Sequence, residues 1–325
     1  MTRLIDGCGR RIDHLRLSVT SACNLRCLYC RPSGEDGRVV GPAPLTDGQR
    51  VECVRFLHGA FGLRQVRLTG GEPLLHRTLV PLVAAIRNAA PSLDIALTTN
   101  AVRLAPTAAR LRAAGLDRLN ISLDSLDPNR YHRLTGGSLS SVLKGIDGAL
   151  EAGFPPPKVN MVVLRGLNDD EVVPMAEWGI RREIEIRYLE AMPIGPAATV
   201  NRQRFVAADE VRKALAARFE MTPLLRGWGS TAMRFRIQGD AGDGCIGFIA
   251  PISRPFCAQC RRIRVTADGR LYPCLLDPRS ADLAPIWQHG RFCARTAHQI
   301  VTEAVAEKSP SGGGTQSTVM VRLGG

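Results

Sequence analysis

Over roughly the first two hundred residues, short runs rich in branched and aromatic side chains alternate with helical stretches, and this alternation limits the fold more than any other feature. Strands are predicted at His14–Val19, Gln65–Thr69, Asp94–Thr98, Arg118–Leu123, Val159–Leu164 and Glu183–Leu189. Helices are predicted near Thr46–Phe61, Leu79–Ala89, Pro106–Ala113, Ser140–Ala152 and Asp170–Arg181. Repeated β/α units imply a parallel sheet, because parallel neighbours need a crossover connection between them. Thr46 with Gln49 has the form of a capping box, so the first helix starts there, after a Gly/Pro-rich loop from Gly34 to Pro44. Later the alternation lapses into one helix, Ala207–Phe219, and Gly-punctuated strands near Arg234–Gln238 and Cys245–Ile249. The expected fold class is α/β. A partial (βα)6 TIM-type barrel over residues 1–205 precedes a C-terminal α+β domain over 206–325, with the boundary near residues 195–206.

Two cysteine triplets punctuate this plan. Cys23-x-x-x-Cys27-x-x-Cys30 follows the first strand, and Cys257-x-x-Cys260 is completed by Cys274 after thirteen intervening residues. Between the latter cysteines, Arg262–Thr266, Asp268-Gly269 and Leu271-Tyr272-Pro273 read as a β-hairpin that returns Cys274 to its partners. Three thiolates hold three irons of a cubane cluster whose usual set is four, leaving one iron open. Zinc is the competing reading: a knuckle at the first triplet, or a ribbon one ligand short at the second. Taken together, the triplets favour two open-coordinated clusters. The remaining Cys8, Cys53, Cys245 and Cys293 read as packing or incidental thiols.

The chain begins Met1–Asp6 without an apolar signal core, and no window approaches the roughly eighteen apolar residues of a membrane span. A cytoplasmic, reducing location is expected, where ten cysteines argue against a disulfide framework because thiols stay free and available for metal. The 325 residues are enough for a sizeable core. The net charge of +13 invites a nucleic-acid reading, but the arginines are scattered and aromatic residues make up only 5%, which disfavours it. A polyphosphate ligand needs only a few of them, since a guanidinium fork matches phosphate oxygens two at a time.

Barrel chemistry gathers on the loops after strands. Gly70-Gly71-Glu72-Pro73 follows the second strand, Thr98-Thr99-Asn100 closes the third and Ser122-Leu123-Asp124 the fourth. The paired glycines are expected to let backbone approach a ligand closely.

These motifs, with Arg16–Thr20, Val66–Leu74, Lys158-Val159-Asn160, the Arg262/Arg264 pair and the terminal Gly324-Gly325, resemble the GTP 3′,8-cyclase family, within the radical S-adenosylmethionine (SAM) superfamily. The resemblance spans almost the whole chain. It implies two [4Fe-4S] clusters, on Cys23, Cys27 and Cys30 and on Cys257, Cys260 and Cys274 of the C-terminal domain. The first would cleave SAM to a radical that removes hydrogen from ribose C3′ of GTP, after which C3′ attacks C8; the second would bind guanine. By position, Tyr29, Gly71, Ser122 and Met192 match SAM contacts. Arg16, Arg67, Thr99, Lys158, Arg262 and Arg264 match GTP contacts, with Arg187 beside them. Arg16 and the Gly324-Gly325 tail would act in catalysis, the tail reaching the site on the Ser309–Gly314 arm.

The partners implied are GTP, an electron donor and a downstream cyclic pyranopterin monophosphate synthase; neither membrane nor nucleic acid is expected, and a homodimer stays open. The chain departs from the family pattern at Ser21-Ala22 (for Asp-Arg), Arg31 (for Met), His76 and Thr78 (for Arg and Asp) and Gln65 (for a basic residue). A peptide-modifying radical SAM enzyme with an auxiliary cluster shares both triplets but has no use for the arginine pair or the Gly-Gly end. A zinc-stabilised nucleic-acid binder accounts only for charge and cysteines.

Overall fold

Period-two alternation gives each inner strand one face toward packed helices and one toward a central cavity. In β1 (His14–Ser18), Leu17 is fully buried while His14 and Arg16 line the cavity. The pattern recurs in β2 (Gln65–Thr69), with Val66 and Leu68 against Arg67 and Thr69, and in β4 (Arg118–Ser122), with Leu119 and Ile121 against Arg118, Asn120 and Ser122. β3 (Asp94–Thr99), β5 (Lys158–Val163) and β6 (Glu185–Glu190) complete six parallel strands in chain order. Leu17, Leu68, Leu97 and Leu119 stand in register across β1 to β4, each at most 1% exposed.

The computed structural model describes residues 2–31, 43–225, 229–311 and 323. Helices α1 (Asp47–Phe61), α2 (Leu79–Ala89), α3 (Ala108–Ala113), α4 (Pro128–Thr135), α5 (Leu139–Glu151) and α6 (Val172–Arg181) follow the inner strands. The expected capping box is present: the Gln49 amide N–H donates to Thr46 Oγ1 at 3.2 Å, and Thr46 N–H to Gln49 Oε1 at 2.9 Å. α4 has no counterpart in the sequence reading. It buries only Tyr131, Leu134 and Thr135, too few for a visible apolar stripe, although Asp127 as N-cap before Pro128 is a start signal.

After α7 (Ala198–Gln203) and α8 (Ala208–Ala216), the chain adds strands to both edges of this sheet. β7 (Glu220–Leu224), β8 (Met233–Gly239) and β9 (Gly242–Ile249) form an antiparallel set whose β9 runs parallel to β6. On the far edge, β10 (Arg262–Val265) pairs parallel to β1 and antiparallel to β11 (Arg270–Tyr272), which leads to β12 (Ala281–Asp282). The Asp268-Gly269 turn is as expected, with Gly269 at φ +80°. One twelve-stranded sheet therefore continues across the expected boundary. The last helix, α9 (Ala294–Ala306), also escaped the sequence reading, because it buries a stripe of mostly small residues, Ala297, Val301, Ala304 and Val305.

Asp13 fastens β10 to β1. Its carboxylate, fully buried, pairs with Arg261 at 2.5 Å, Arg11 at 3.3 Å and the His14 ring at 2.7 Å. Burial alone would raise its pKa, but His14 and Arg261 bring it below the ordinary value.

Leu68 sits centrally in the leucine row, where a cavity cannot readily collapse. Leu68→Ala is expected to lower stability by about 2–5 kcal/mol, read by chemical denaturation; a change under about 1 kcal/mol would show that the row is not a close-packed core.

Candidate functional site

The loop after β1 carries the first triplet and is held by backbone. Gly71 N–H donates to Thr20 O and Glu72 N–H to Ala22 O, both at 2.8 Å. A Cβ at Gly70 would lie 2.2 Å from Thr20 O, and one at Gly71 2.3 Å from Ala22 O. The glycines thus admit the chain's own cysteine loop, and both also line the central cavity. Glu72, 1% exposed, caps Leu74 N–H at 3.0 Å and accepts from Thr99 Oγ1 at 2.6 Å and Asn100 N–H at 2.7 Å. Asn100 Nδ2 then donates to Asn24 Oδ1 inside the triplet, at 2.9 Å. On its other side the loop pairs with the end of α4, Arg26 N–H to Thr135 O and Leu28 N–H to Leu134 O.

Tyr29 OH donates to Asp124 Oδ2 at 2.7 Å, and Asp124 Oδ1 accepts from Val162 N–H at 2.9 Å. Burial pushes the Asp124 carboxyl up to about 6, opposed by those two donors. Asn201 Nδ2 bridges the carbonyls of Tyr29 (2.9 Å) and Met192 (2.7 Å), bringing these distant residues together. Burial, then Asp124 and the neighbouring thiols Cys30 and Cys23, holds the Cys27 thiol well above its ordinary value.

The second triplet sits at the open end of the β10–β11 hairpin, opposite the Asp268-Gly269 turn. A short turn over Cys257–Gln259 closes through Cys260 N–H to Cys257 O at 3.0 Å, and the hairpin returns Cys274 beside them. Burial raises the Cys260 thiol, but Arg262 and Lys308 outweigh it and bring it down to about 7. All ten cysteines are free. Among the described residues no three His, Cys, Asp or Glu side chains are arranged around one metal ion. The thiols are soft donors of the kind that iron–sulfur clusters take.

Between the triplets lies a row of cations. Register places Arg264 beside Arg16, and Arg16 beside Arg67, on three adjacent strands. Like charges side by side on a sheet repel. Burial and then neighbouring Arg262 push Arg16 down to about 9; burial and then Arg16 hold both Arg67 and Arg264 well below the ordinary value. Lys158 is pushed down to about 8 by burial and then Arg187. Arg187 pairs with Glu185 at 2.6 Å.

One cavity of about 630 Å³ gathers the predicted set: Arg16, Cys23, Cys27, Tyr29, Cys30, Arg67, Gly71, Thr99, Ser122, Lys158, Arg187, Met192, Cys257, Cys260, Arg262, Arg264 and Cys274 all line it. The Thr99 hydroxyl is already engaged, donating to Glu72 and accepting from Ala101 N–H at 2.9 Å. Gly324, Gly325, residues 312–314 of the arm and residues 34–42 of the first loop lie outside the described residues. Leu323 is fully buried and its carbonyl accepts from Arg264 Nη1 at 3.2 Å. Sequence reasoning named Asn100 at the end of β3 but missed Asn24 and Asn201; isolated amides carry no motif.

A family model described as "Radical SAM superfamily" matches residues 17–179, and one described as "Molybdenum Cofactor Synthesis C" matches 184–313. A protein named GTP 3′,8-cyclase from Paenarthrobacter nicotinovorans is 40% identical over 298 residues, covering 88% of this chain and 84% of that protein. Another of that name, from Heliobacterium modesticaldum, is 38% identical over 338 residues, covering 99% and 100%. The crystal structure of Streptococcus suis SuiB bound to S-adenosylmethionine superposes with TM-score 0.61 at 14% identity, over 95% of this chain and 77% of that one, a likeness of fold.

Gly71→Ala drives a methyl into Ala22 O and Ser21 O, a strain of about 1–3 kcal/mol. The displaced loop is expected to lose the first cluster, so reconstituted iron falls from about eight toward about four per chain. Full iron content with unaltered thermal stability would show that the close approach is dispensable.

Proposed function

The chain belongs to the GTP 3′,8-cyclase family of the radical SAM superfamily, and we propose from its cavity how it performs that family's reaction. It is a radical SAM enzyme that converts GTP to (8S)-3′,8-cyclo-7,8-dihydroguanosine 5′-triphosphate, the first step of molybdenum cofactor biosynthesis. The carrying observation is the Arg264–Arg16–Arg67 row, set between two cysteine triplets in one cavity. A polyanion relieves the repulsion within that row, and a triphosphate supplies one.

Cys23, Cys27 and Cys30 would hold one [4Fe-4S] cluster, and Cys257, Cys260 and Cys274, in the 206–325 part, the other. When bound, the first cluster together with SAM supplies the 5′-deoxyadenosyl radical that takes hydrogen from ribose C3′. Tyr29, Gly71, Ser122 and Met192 surround SAM; the amide of Asn201 already ties the backbones of Tyr29 and Met192 together. Arg16, Arg67, Lys158, Arg187, Arg262 and Arg264 grip the triphosphate, with Thr99 at the same wall. Gln65 stands where a basic residue is usual and offers a neutral donor, its Nε2 being buried without a hydrogen-bond partner. Fixing the remote triphosphate orients C3′, where small misplacements are costly. Arg16 and the terminal Gly324-Gly325 are assigned a part in catalysis; the buried Leu323 carbonyl, which accepts from Arg264, directly precedes the two glycines in sequence. The partners implied are an electron donor for the first cluster and a cyclic pyranopterin monophosphate synthase that would consume the product. No helix among the described residues is long and apolar enough to cross a membrane.

Anaerobically reconstituted protein with SAM, GTP and a strong reductant is expected to yield 5′-deoxyadenosine and cyclised GTP, identified by mass spectrometry. Cys260→Ala should still cleave SAM without making the cyclised product; persistence of that product would make the second triplet structural.

Lys158 grips phosphate only when protonated, and its ammonium is lowered to about 8. As pH rises through that value the charge is lost, so kcat/KM for GTP should bend downward above about pH 8, whereas Lys158→Arg, charged throughout, should flatten the profile. An identical bend in Lys158→Arg would assign it to another group.

A further inference from the structure

Two buried cations serve neither the triphosphate row nor the first triplet. The N-terminal residues fold back as a hook, with Ile12 N–H to Leu4 O at 2.8 Å and Asp6 N–H to Arg10 O at 3.1 Å. Asp6, 5% exposed, accepts from the amides of Cys8 and Arg10 at 2.9 Å each and from Arg10 Nε at 2.6 Å, which aims the guanidinium. Arg10 Nη1 then donates to Cys257 O at 2.7 Å and Pro310 O at 3.2 Å, and Nη2 to Ser309 O at 2.8 Å and Lys308 O at 3.4 Å. All five guanidinium N–H groups are thereby used. One side chain joins the second cysteine loop to three successive carbonyls at the root of the C-terminal tail.

Lys308, 3% exposed, completes the junction from the tail side. Its ammonium donates to Arg262 O at 2.9 Å and to Pro273 O. These carbonyls flank Cys260 and Cys274, and both acceptors are neutral. The nearby Asp277 carboxylate, on which Lys308 also acts, is already paired with Arg279 at 2.6 Å, and a buried ammonium is costly without a compensating anion. The positive charges of Arg10 and Lys308 both act on the Cys257 sulfur, and that of Lys308 on Cys260.

We infer that Arg10 and Lys308 are positioning residues that lock the second cysteine set and the tail root into one unit, with Lys308 the buried counter-charge of the anionic cluster held there. This rests on the functional reading above. It places tail and guanine-binding cluster in a common frame, so that disturbing one disturbs the other.

Full-length, anaerobically reconstituted Lys308→Met is compared with wild type by redox titration followed by electron paramagnetic resonance. A nearby cation favours the more negative, reduced form, so the potential of the second-triplet cluster should shift to lower values while the first-triplet signal stays in place. Arg10→Ala should raise amide hydrogen exchange of residues 305–311 at least tenfold; Arg10→Lys, which keeps the charge but not the five-donor fork, replaces it if the alanine variant does not fold. An unmoved potential at full iron content, or unmoved exchange, overturns the inference. If Lys308→Met holds no iron at the second triplet, Lys308→Arg decides: recovered iron supports the counter-charge, continued loss overturns it. Wild-type protein that fails to cyclise GTP while these shifts appear would overturn the catalytic reading and leave the junction standing.

Discussion

Three guanidinium groups side by side on neighbouring strands are a standing electrostatic debt, and much of the molecule is arranged so that they stay there. Arg264, Arg16 and Arg67 come from β10, β1 and β2, so their juxtaposition depends on a parallel pairing that residues nearly the whole chain apart must make. The buried Asp13–Arg261 pair secures that seam. Outside the cavity, the leucines on the opposite faces of β1 and β2 supply the burial that sustains the repulsion inside. The unliganded site is therefore strained toward anions before any arrives, the kind of preorganisation in which binding energy can be used for orientation.

The departures from the family pattern become intelligible in the same physical terms. Ser21 and Ala22 meet the Gly-Gly turn through their carbonyls, so side-chain identity matters little there. Thr78 Oγ1 donates to Asp47 at 2.6 Å and the His76 ring pairs with it at 2.9 Å, giving these two residues a carboxylate partner at the start of α1. Arg50, also on Asp47, reaches Val19 O at 3.0 Å at the end of β1. The connection from the turn to the first strand is thus kept by other residues. Burial holds the Cys23 thiol above its ordinary value, and Arg31, within the first loop, adds a cation that partly offsets this.

What could be read from the chain was local. Alternation located all six inner strands, because one face is packed and the other lines a cavity. The cysteine spacings, the capping box and the Asp-Gly turn each work within a few residues, so their signatures survive in sequence. The β1–β10 pairing left no such trace, because its two strands lie far apart in the chain. The relay Glu72–Asn100–Asn24 was invisible for a related reason: each member is an unremarkable polar residue until folding brings strand ends together. α4 and α9 were missed because short or small-residue stripes bury too little to show a period.

The seam between β1 and β10 also bears on how the chain comes into being. Asp13 and Arg261 are 248 residues apart, so during synthesis the edge of β1 must wait for almost the entire polypeptide before its partner strand exists. Until then a hydrophobic strand already paired on one side presents a bare row of amides and carbonyls on the other, the geometry that recruits stray strands. High sequence separation of this kind slows folding and lengthens exposure of such intermediates. The order of events on the ribosome is set accordingly: the first cysteine loop can form early on a half-finished barrel, whereas the second cysteine set and the arginine row come into being together, at the moment the last edge closes.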